Sequence, residues 1–219
     1  MTKKITIATL GSHSALDICR GAKDEGFRTL VVCEKGREQT YAYYFKSHGK
    51  SGCVDACIIL NKFADILKPE IQKKLQQQNV IFIPNRSFEA YLNFDYRKIE
   101  KEFNVALFGN KYLLKIEERG SIPNQYTLLK QADIRTPLHF ADSADIDRLC
   151  LVKINEKLRP FERAFFLVED SQDFAQKSQK LIESGKISES ALKSAVIEEF
   201  ILGAQVNFNF FYSRLSKRL

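Results

Sequence analysis

Apolar residues in the first half of the chain fall into short β-branched runs separated by stretches with helical spacing. Ile5-Thr6-Ile7-Ala8-Thr9-Leu10 is one such run and reads as a buried strand. Gly11 breaks it, and Leu16, Cys19 and Ala22 or Lys23 then recur at helical spacing. Ser12 stands where a helix cap belongs, and Gly26 where a helix ends. Thr29 to Cys33 is the next apolar run. Strand, turn, helix and strand within about thirty residues predict a βαβ unit and a parallel sheet. The alternation continues through a strand at Ala56 to Leu60, a helix at Pro69 to Gln77 and a strand at Val80 to Ile83. Pro69 occupies a tolerated first-turn position. The pattern predicts a doubly wound α/β layer up to residue 106.

From Gly109 the pattern changes. Lys111 to Glu118 and Asn124 to Ala132 read as helical. Ile134 to Phe140 leads to a strand at Leu149 to Ile154 that carries Lys153 near its end, and Ala164 to Val168 is another strand. Phe174 to Ser184 is an amphipathic helix, and Ala195 to Phe200 and Val206 to Tyr212 read as strands. The second region, 107–219, is therefore α+β. No repeat, low-complexity stretch or long Gly/Ser linker interrupts the chain, so the two regions are expected to pack together.

Composition narrows this picture only a little. With 219 residues and 44% hydrophobic content, a core needs no disulfide staples. Five scattered cysteines (Cys19, Cys33, Cys53, Cys57, Cys150) argue for a reducing compartment. Cys53 and Cys57 lack the second ligand pair that a zinc site requires. The apolar run Ile5 to Leu10 is too short for a secretory signal, and no run approaches the roughly 20 residues that cross a bilayer. A cytoplasmic protein without membrane contact is expected. The net charge of +7 is spread along the chain and reads as solvated faces plus a site for an anionic substrate. Nucleic-acid binding would rest on that charge alone. Oligomeric state is not written in the sequence, though a sheet edge would invite association of copies.

Two segments lie where ligands bind in an open parallel sheet, beyond the C-terminal ends of strands. Gly11-Ser12-His13-Ser14 offers amides and hydroxyls at a helix N-terminus, an arrangement that attracts phosphate. His13 adds a group that can donate to phosphate or act near neutral pH. The plainer roles, a capping Ser12 and an exposed turn histidine, stand beside that one. In Pro84-Asn85-Arg86-Ser87-Phe88, Ser87 either caps the next helix or meets a ligand, and Arg86 faces phosphate or solvent. In the second region, Lys153 at a strand end suits nucleotide phosphates. Ile197-Glu198-Glu199-Phe200-Ile201 suits an adenine pocket, with carboxylates accepting from the amino group or ribose. Two solvated glutamates on a surface strand is the plainer reading. No P-loop, Gly-x-Gly-x-x-Gly or Gly-x-Ser-x-Gly motif occurs.

Taken in order, four blocks resemble one family. They are Ile7-Ala8-Thr9-Leu10-Gly11-Ser12-His13-Ser14, Lys23-Asp24-Glu25-Gly26-Phe27, Phe108-Gly109-Asn110-Lys111 and Ile197-Glu198-Glu199-Phe200-Ile201-Leu202-Gly203. The family is the archaeal formate-dependent 5-formaminoimidazole-4-carboxamide ribonucleotide (FAICAR) synthetases of the ATP-grasp superfamily. The resemblance runs the whole length. It implies a pre-ATP-grasp, Rossmann-like substrate-binding domain over 1–106 and part of an ATP-grasp nucleotide-binding domain over 107–219. It also implies the reaction: ATP activates formate as formyl phosphate, and the amine of 5-aminoimidazole-4-carboxamide ribonucleotide (AICAR) attacks it, a late step toward IMP. By the same resemblance His13 and Ser87 contact AICAR, and Lys111 and Lys153 reach ATP phosphates. Glu198, with the backbone of Glu199 and Ile201, holds adenine, and magnesium offsets phosphate charge.

The chain departs from the family in three places. Segment 155–163 lacks the glycines expected after Lys153 and carries Lys157, Arg159 and Arg163 instead. Asn85 and Arg86 stand where the family often has His and Gly. The family's magnesium carboxylates and a further substrate-contacting asparagine are expected beyond residue 219, so no metal ligand is assigned within this chain. A non-catalytic nucleotide-binding relative is the alternative to the ligase.

Overall fold

The computed structural model describes residues 4–49, 51–118, 121–154, 165–207, 212–213 and 215–216. The chain divides into two compact units, Met1–Gln131 and Ala132–Leu219.

The first unit is built on four parallel strands: β1 (Thr6–Leu10), β2 (Arg28–Glu34), β3 (Ala56–Leu60) and β4 (Val80–Phe82). Every residue of β1 is buried. Such a strand is covered on both faces and therefore reads as a continuous apolar run. The sheet order is β3-β2-β1-β4. The chain steps outward from β1 to β3, then returns to the other side of β1. That reversal makes the β1/β4 boundary the topological switch point, where open α/β sheets bind ligands.

Helices cover both faces. Helix α1 (Ala15–Asp24) buries Ala15, Cys19 and Ala22, the first two in a cluster with Val31, Cys33 and Tyr41. It ends at Gly26, whose φ of 77° lets Phe27 N–H reach Ala22 O at 2.9 Å. The opposite face carries a larger core of Leu30, Val32, Phe63, Ile66, Leu75, Phe82, Phe88, Ile99 and Phe103. Helices α2 (Pro69–Gln77), α3 (Arg86–Tyr91) and α4 (Tyr96–Glu102) supply part of it. The rings of Phe82, Phe88 and Phe103 meet with centroids 5.1–5.2 Å apart. Residues 106–108 run along the outer edge of β4, where Phe82 N–H bonds Ala106 O and Phe108 N–H bonds Phe82 O. The helical stretch expected at 111–118 is a 3₁₀-helix, Lys111–Glu117, and α5 (Gln125–Gln131) follows it. A π-helix at Gln39–Tyr44 was not anticipated from the sequence pattern.

The second unit is a four-stranded antiparallel sheet with order β5-β8-β6-β7. Its strands are β5 (His139–Phe140), β6 (Cys150–Lys153), β7 (Phe165–Val168) and β8 (Val196–Glu199). Helices α6 (Ser171–Glu183) and α7 (Glu189–Lys193) belong to this unit. One sheet face puts Cys150, Val152, Val168 and Ile197 into a core with Ile187 and Ala191. Side chains alternate across a strand, so Leu151, Lys153 and Glu198 share the opposite face. The strand expected at Val206 to Tyr212 is not seen at Val206 and Asn207, which are irregular; residues 208–211 lie outside the described residues, as does segment 155–163. No described helix is long and apolar enough to cross a membrane.

Candidate functional site

The Gly11–Ser14 turn leaves β1 at the sheet's C-terminal edge. Gly11 N–H bonds Val32 O at 2.7 Å, which draws the turn against β2. The approach is close: a Cβ on Gly11 would lie 2.8 Å from Cys33 Cβ and from Tyr41 Cε2, and 2.9 Å from Val31 Cγ1. Only glycine fits there. Ser14, not Ser12, occupies the cap position of α1, and it makes no side-chain cap bond. The expectation that Ser12 caps the helix is thereby corrected. Ser12 instead accepts Ala15 N–H through its backbone carbonyl at 2.9 Å. His13 is exposed, with Nδ1 3.4 Å from Ser14 Oγ.

Ser87 lies across the switch point as the second residue of α3, half-buried. The cap of α3 is Asn85, whose Oδ1 accepts Phe88 N–H at 3.1 Å. Asn85 does more than cap. Its Nδ2 donates to Leu10 O at 3.0 Å and to Thr9 Oγ1 at 3.3 Å, and Thr9 Oγ1 donates to Ile83 O at 2.9 Å. One side chain thus ties the end of β1 to the start of α3. His13 and Ser87 are brought to the C-terminal ends of adjacent strands.

Arg86 points away from any role as a free phosphate ligand. Nη1 meets Glu89 Oε2 at 2.8 Å, Nη2 pairs with Glu118, and Glu117 lies at 3.6 Å. Burial opposes the guanidinium's charge, but Glu118 and Glu89 more than offset this and raise its pKa. Burial also raises the Glu89 carboxyl, against the lowering effects of Tyr96 and Arg86. The network joins α3 to the end of the 3₁₀-helix. Lys111, at the start of that helix, donates to Phe103 O at 3.1 Å.

All five cysteines are free. Cys33 and Cys57 lie Sγ to Sγ at 3.3 Å on neighbouring strands. Burial pushes the Cys19 thiol up to about 12, which marks it as a packed hydrophobe rather than a nucleophile. Among the described residues, no group of three His, Cys, Asp or Glu side chains is placed to hold a metal ion.

The second unit gathers another polar group. Lys153 and Glu198 form an ion pair across β6 and β8, diagonal to each other on the face away from the core. Glu198 is only 6% exposed. His139 is its direct cross-strand neighbour on β5, with Nε2 3.7 Å from Oε2. Glu199 is on the other face: its carboxylate accepts Leu138 N–H at 3.2 Å and lies 3.6 Å from Arg148. Its own N–H is committed to Leu138 O at 2.8 Å. Ile201 follows the strand and is 60% exposed. The unit thus brings Lys153 and Glu198 together, with Glu199 and Ile201 next along the same strand end. His139 was not anticipated; its signal was only the apolar alternation around Leu138 and Phe140.

Comparison with known proteins agrees with this architecture. The chain is 40% identical over 209 residues to the 5-formaminoimidazole-4-carboxamide-1-(beta)-D-ribofuranosyl 5'-monophosphate synthetase of Methanopyrus kandleri. That match covers 95% of this chain and 55% of the relative. The protein of the same name from Methanothermobacter thermautotrophicus is 38% identical, over 95% of this chain and 54% of its own length. The chain therefore spans about half the length of the curated relatives it matches. Among solved structures, the IMP biosynthesis protein PurP from Thermococcus kodakaraensis matches 97% of this chain and 56% of its own, with 24% identity and a TM-score of 0.60. An ADP complex of PurK, an N5-carboxyaminoimidazole ribonucleotide synthetase, matches 92% of this chain and 49% of its own, with 14% identity and a TM-score of 0.57. Both likenesses concern the fold. A domain of unknown function, DUF1297, matches residues 173–219. The model of the family described as protein of unknown function DUF1246 matches residues 7–140, and the chain belongs to that family, as a homologue of the archaeal synthetases.

Proposed function

We propose that this chain carries the substrate site and part of the nucleotide site of an ATP-dependent ligase that formylates AICAR with formate. The observation that supports this most directly is the switch point, where Asn85 ties Leu10, the residue before the Gly11–Ser14 turn, to the start of the helix that carries Ser87. It is joined by 33–40% identity to relatives that carry the synthetase name.

In this reading residues 1–106 bind AICAR, through His13 and Ser87, and 107–219 bind the nucleotide. Formate takes the γ-phosphoryl group of ATP, leaving ADP. The AICAR amine then attacks the formyl carbon. A C–N bond forms, the C–O bond to phosphate breaks, phosphate leaves with the electron pair, and the amine releases a proton. FAICAR, ADP and phosphate result. The chain's part is to bind and orient.

Lys153 and Lys111 are the cations assigned to the ATP phosphates. Each is engaged now, Lys153 with Glu198 and Lys111 with Phe103 O. For Lys153 the exchange is balanced chemically. A phosphate draws the ammonium away, and the adenine amino group or a ribose hydroxyl donates to the Glu198 carboxylate it leaves. The Glu199 carbonyl and the Ile201 backbone complete the adenine contact; the Glu199 N–H, bound to Leu138, does not. Magnesium finds no fitting ligand group among the described residues, and no step is assigned to it. Small-molecule substrates and a cytoplasmic setting follow from this activity.

The test is direct. The intact protein, given AICAR, formate and ATP, should release ADP only when formate is present; ADP release indifferent to formate would sink the proposal. His13→Ala should weaken AICAR binding at least several-fold and leave ATP binding unchanged. Equal loss of both would contradict the site assignment.

A further inference from the structure

Arg37 is a cation at the crevice that neither sequence pattern nor resemblance singled out. It lies in the loop after β2, at the same C-terminal edge of the sheet as the His13 turn. Its guanidinium stands 5.3 Å from the ring centroids of both Phe63 and Tyr91, which stack on each other at 4.2 Å. Nη1 donates to the Tyr91 hydroxyl at 2.9 Å. The group is therefore held in place, yet the residue is exposed.

The neighbouring acids do not claim it. Glu34 accepts Phe63 N–H at 3.1 Å, and Glu38 accepts Gly36 N–H. Among the described residues no carboxylate forms an ion pair with Arg37. A guanidinium carries five N–H donors, and Tyr91 takes one. A planar, pre-organised fork with donors to spare is the preferred partner of a phosphate. Arg86, the other arginine at this edge, is consumed by Glu89 and Glu118.

Its surroundings relate Arg37 to both site segments. Tyr91 is the last residue of α3, whose second residue is Ser87. Four residues along a helix span about 6 Å. On the other side, the charge of Arg37 acts on Tyr41, partly opposing the rise that burial causes in that phenol. The Tyr41 ring is the one that backs Gly11. Arg37 thus contacts the helix that carries Ser87 and lies near the tyrosine that backs Gly11.

We infer that Arg37 binds the phosphate monoester of the ribonucleotide substrate, while His13 and Ser87 meet the remainder of the molecule. This rests on the AICAR reading above, and it adds a phosphate subsite to it.

The experiment is calorimetric binding of three ligands at one fixed ionic strength: AICAR, the same riboside without its phosphate, and ATP. Wild-type protein should bind AICAR more tightly than the riboside. Arg37→Met should lose roughly 10- to 100-fold in AICAR affinity, the span of a hydrogen-bonded charged contact. Its riboside and ATP affinities should stay at wild-type values. Arg37→Lys, which keeps the charge without the fork, should recover only part of the loss. Unchanged melting temperatures will show that the variants fold, as expected for an exposed position. If Arg37→Met keeps the wild-type preference for AICAR over the riboside, the subsite is overturned while the AICAR reading stands. Equal loss for the riboside overturns it as well, because Arg37 would then act only through the Phe63–Tyr91 stack. A parallel loss for ATP moves the phosphate to the nucleotide and overturns it too. Wild-type protein that binds neither AICAR nor riboside removes the AICAR reading and the subsite together.

Discussion

Gly11→Ala tests whether the geometry of the turn or its sequence neighbourhood makes the site. The added methyl would sit 2.8–2.9 Å from three atoms at once, Cys33 Cβ, Tyr41 Cε2 and Val31 Cγ1. Carbon atoms pack at about 3.5–4.0 Å, so a shift of roughly 0.7 Å is needed. Cys33 and Val31 are completely buried on β2 and cannot retreat. The turn cannot retreat freely either, because Gly11 N–H is bonded to Val32 O at 2.7 Å. Overpacking of this kind costs about 1–3 kcal/mol. Weakening that hydrogen bond adds about 1 kcal/mol, which places the loss at about 2–4 kcal/mol. Gly21→Ala is the matched control. It lies inside α1 with nothing within 4 Å of the added methyl, and it should gain about 0.5–1 kcal/mol from helix propensity. Urea unfolding followed by far-ultraviolet circular dichroism reads both. The two Gly→Ala changes should differ in sign, and Gly11→Ala should also weaken AICAR binding by moving His13. A Gly11→Ala protein within about 0.5 kcal/mol of wild type would refute the close-approach argument.

Asn85→Ala removes a helix cap together with the tie to Leu10, and should cost about 1–2 kcal/mol in urea unfolding. Asn85→Asp, which keeps the cap acceptor but not the donors, should recover stability more than AICAR affinity. Arg86→Met leaves Glu89 and Glu118, 3% and 4% exposed, without their shared cation. Breaking such a pair should cost about 3 kcal/mol, and adding Glu118→Gln should relieve part of it; a strictly additive double-mutant cycle would show that no network exists. Asp55 gives a pH prediction. Burial pushes its carboxyl up, but the Lys23 ammonium at 2.8 Å and Thr29 N–H at 2.9 Å outweigh this and hold it below the usual value. A carboxyl lowered in the folded state contributes stability that is complete above its unfolded pKa and lost as pH falls through the folded one. Asp55→Asn should therefore flatten the decline of melting temperature below about pH 4; an unchanged acid limb would count against the pairing.

The sequence and the structure agree most closely where local chemistry and burial point the same way. Ala56–Leu60 and Pro69–Gln77 fall on the residues read from the pattern, because a wholly apolar run and an N1 proline leave little choice. The strands holding Lys153 and Glu198 were legible from the short apolar, partly β-branched stretches Cys150 to Val152 and Val196 to Ile197. Capping was less so. Asn85, Ser87, Ser12 and Ser14 are all competent caps by type; Asn85 is the one that accepts Phe88 N–H, and its Nδ2 donates to Leu10 O, 75 positions earlier, a tie that the local sequence does not show. The π-helix at Gln39–Tyr44 is likewise a tertiary result: Tyr41 is buried under Gly11 while Tyr43 and Tyr44 stay 71% and 80% exposed.

The two arginines at the crevice show why charge counts fail to locate a site. Arg37 and Arg86 each lie in a loop or first helical turn past a parallel strand, where an anion would be expected. What separates them is the disposition of acids. Around Arg86, Glu89 and Glu118 are buried and both pair with the guanidinium, so the cation is fixed as a structural tie. Around Arg37, Glu34 and Glu38 accept backbone N–H groups, and the guanidinium rests beside two stacked rings with one N–H on the Tyr91 hydroxyl. An aromatic neighbour attracts the cation without consuming a carboxylate-type partner, so four of the five N–H donors are not taken by Tyr91. A buried acid turns an arginine into scaffold, whereas an aromatic platform keeps it available to a ligand. That difference, rather than the net charge of +7, is what assigns phosphate to Arg37.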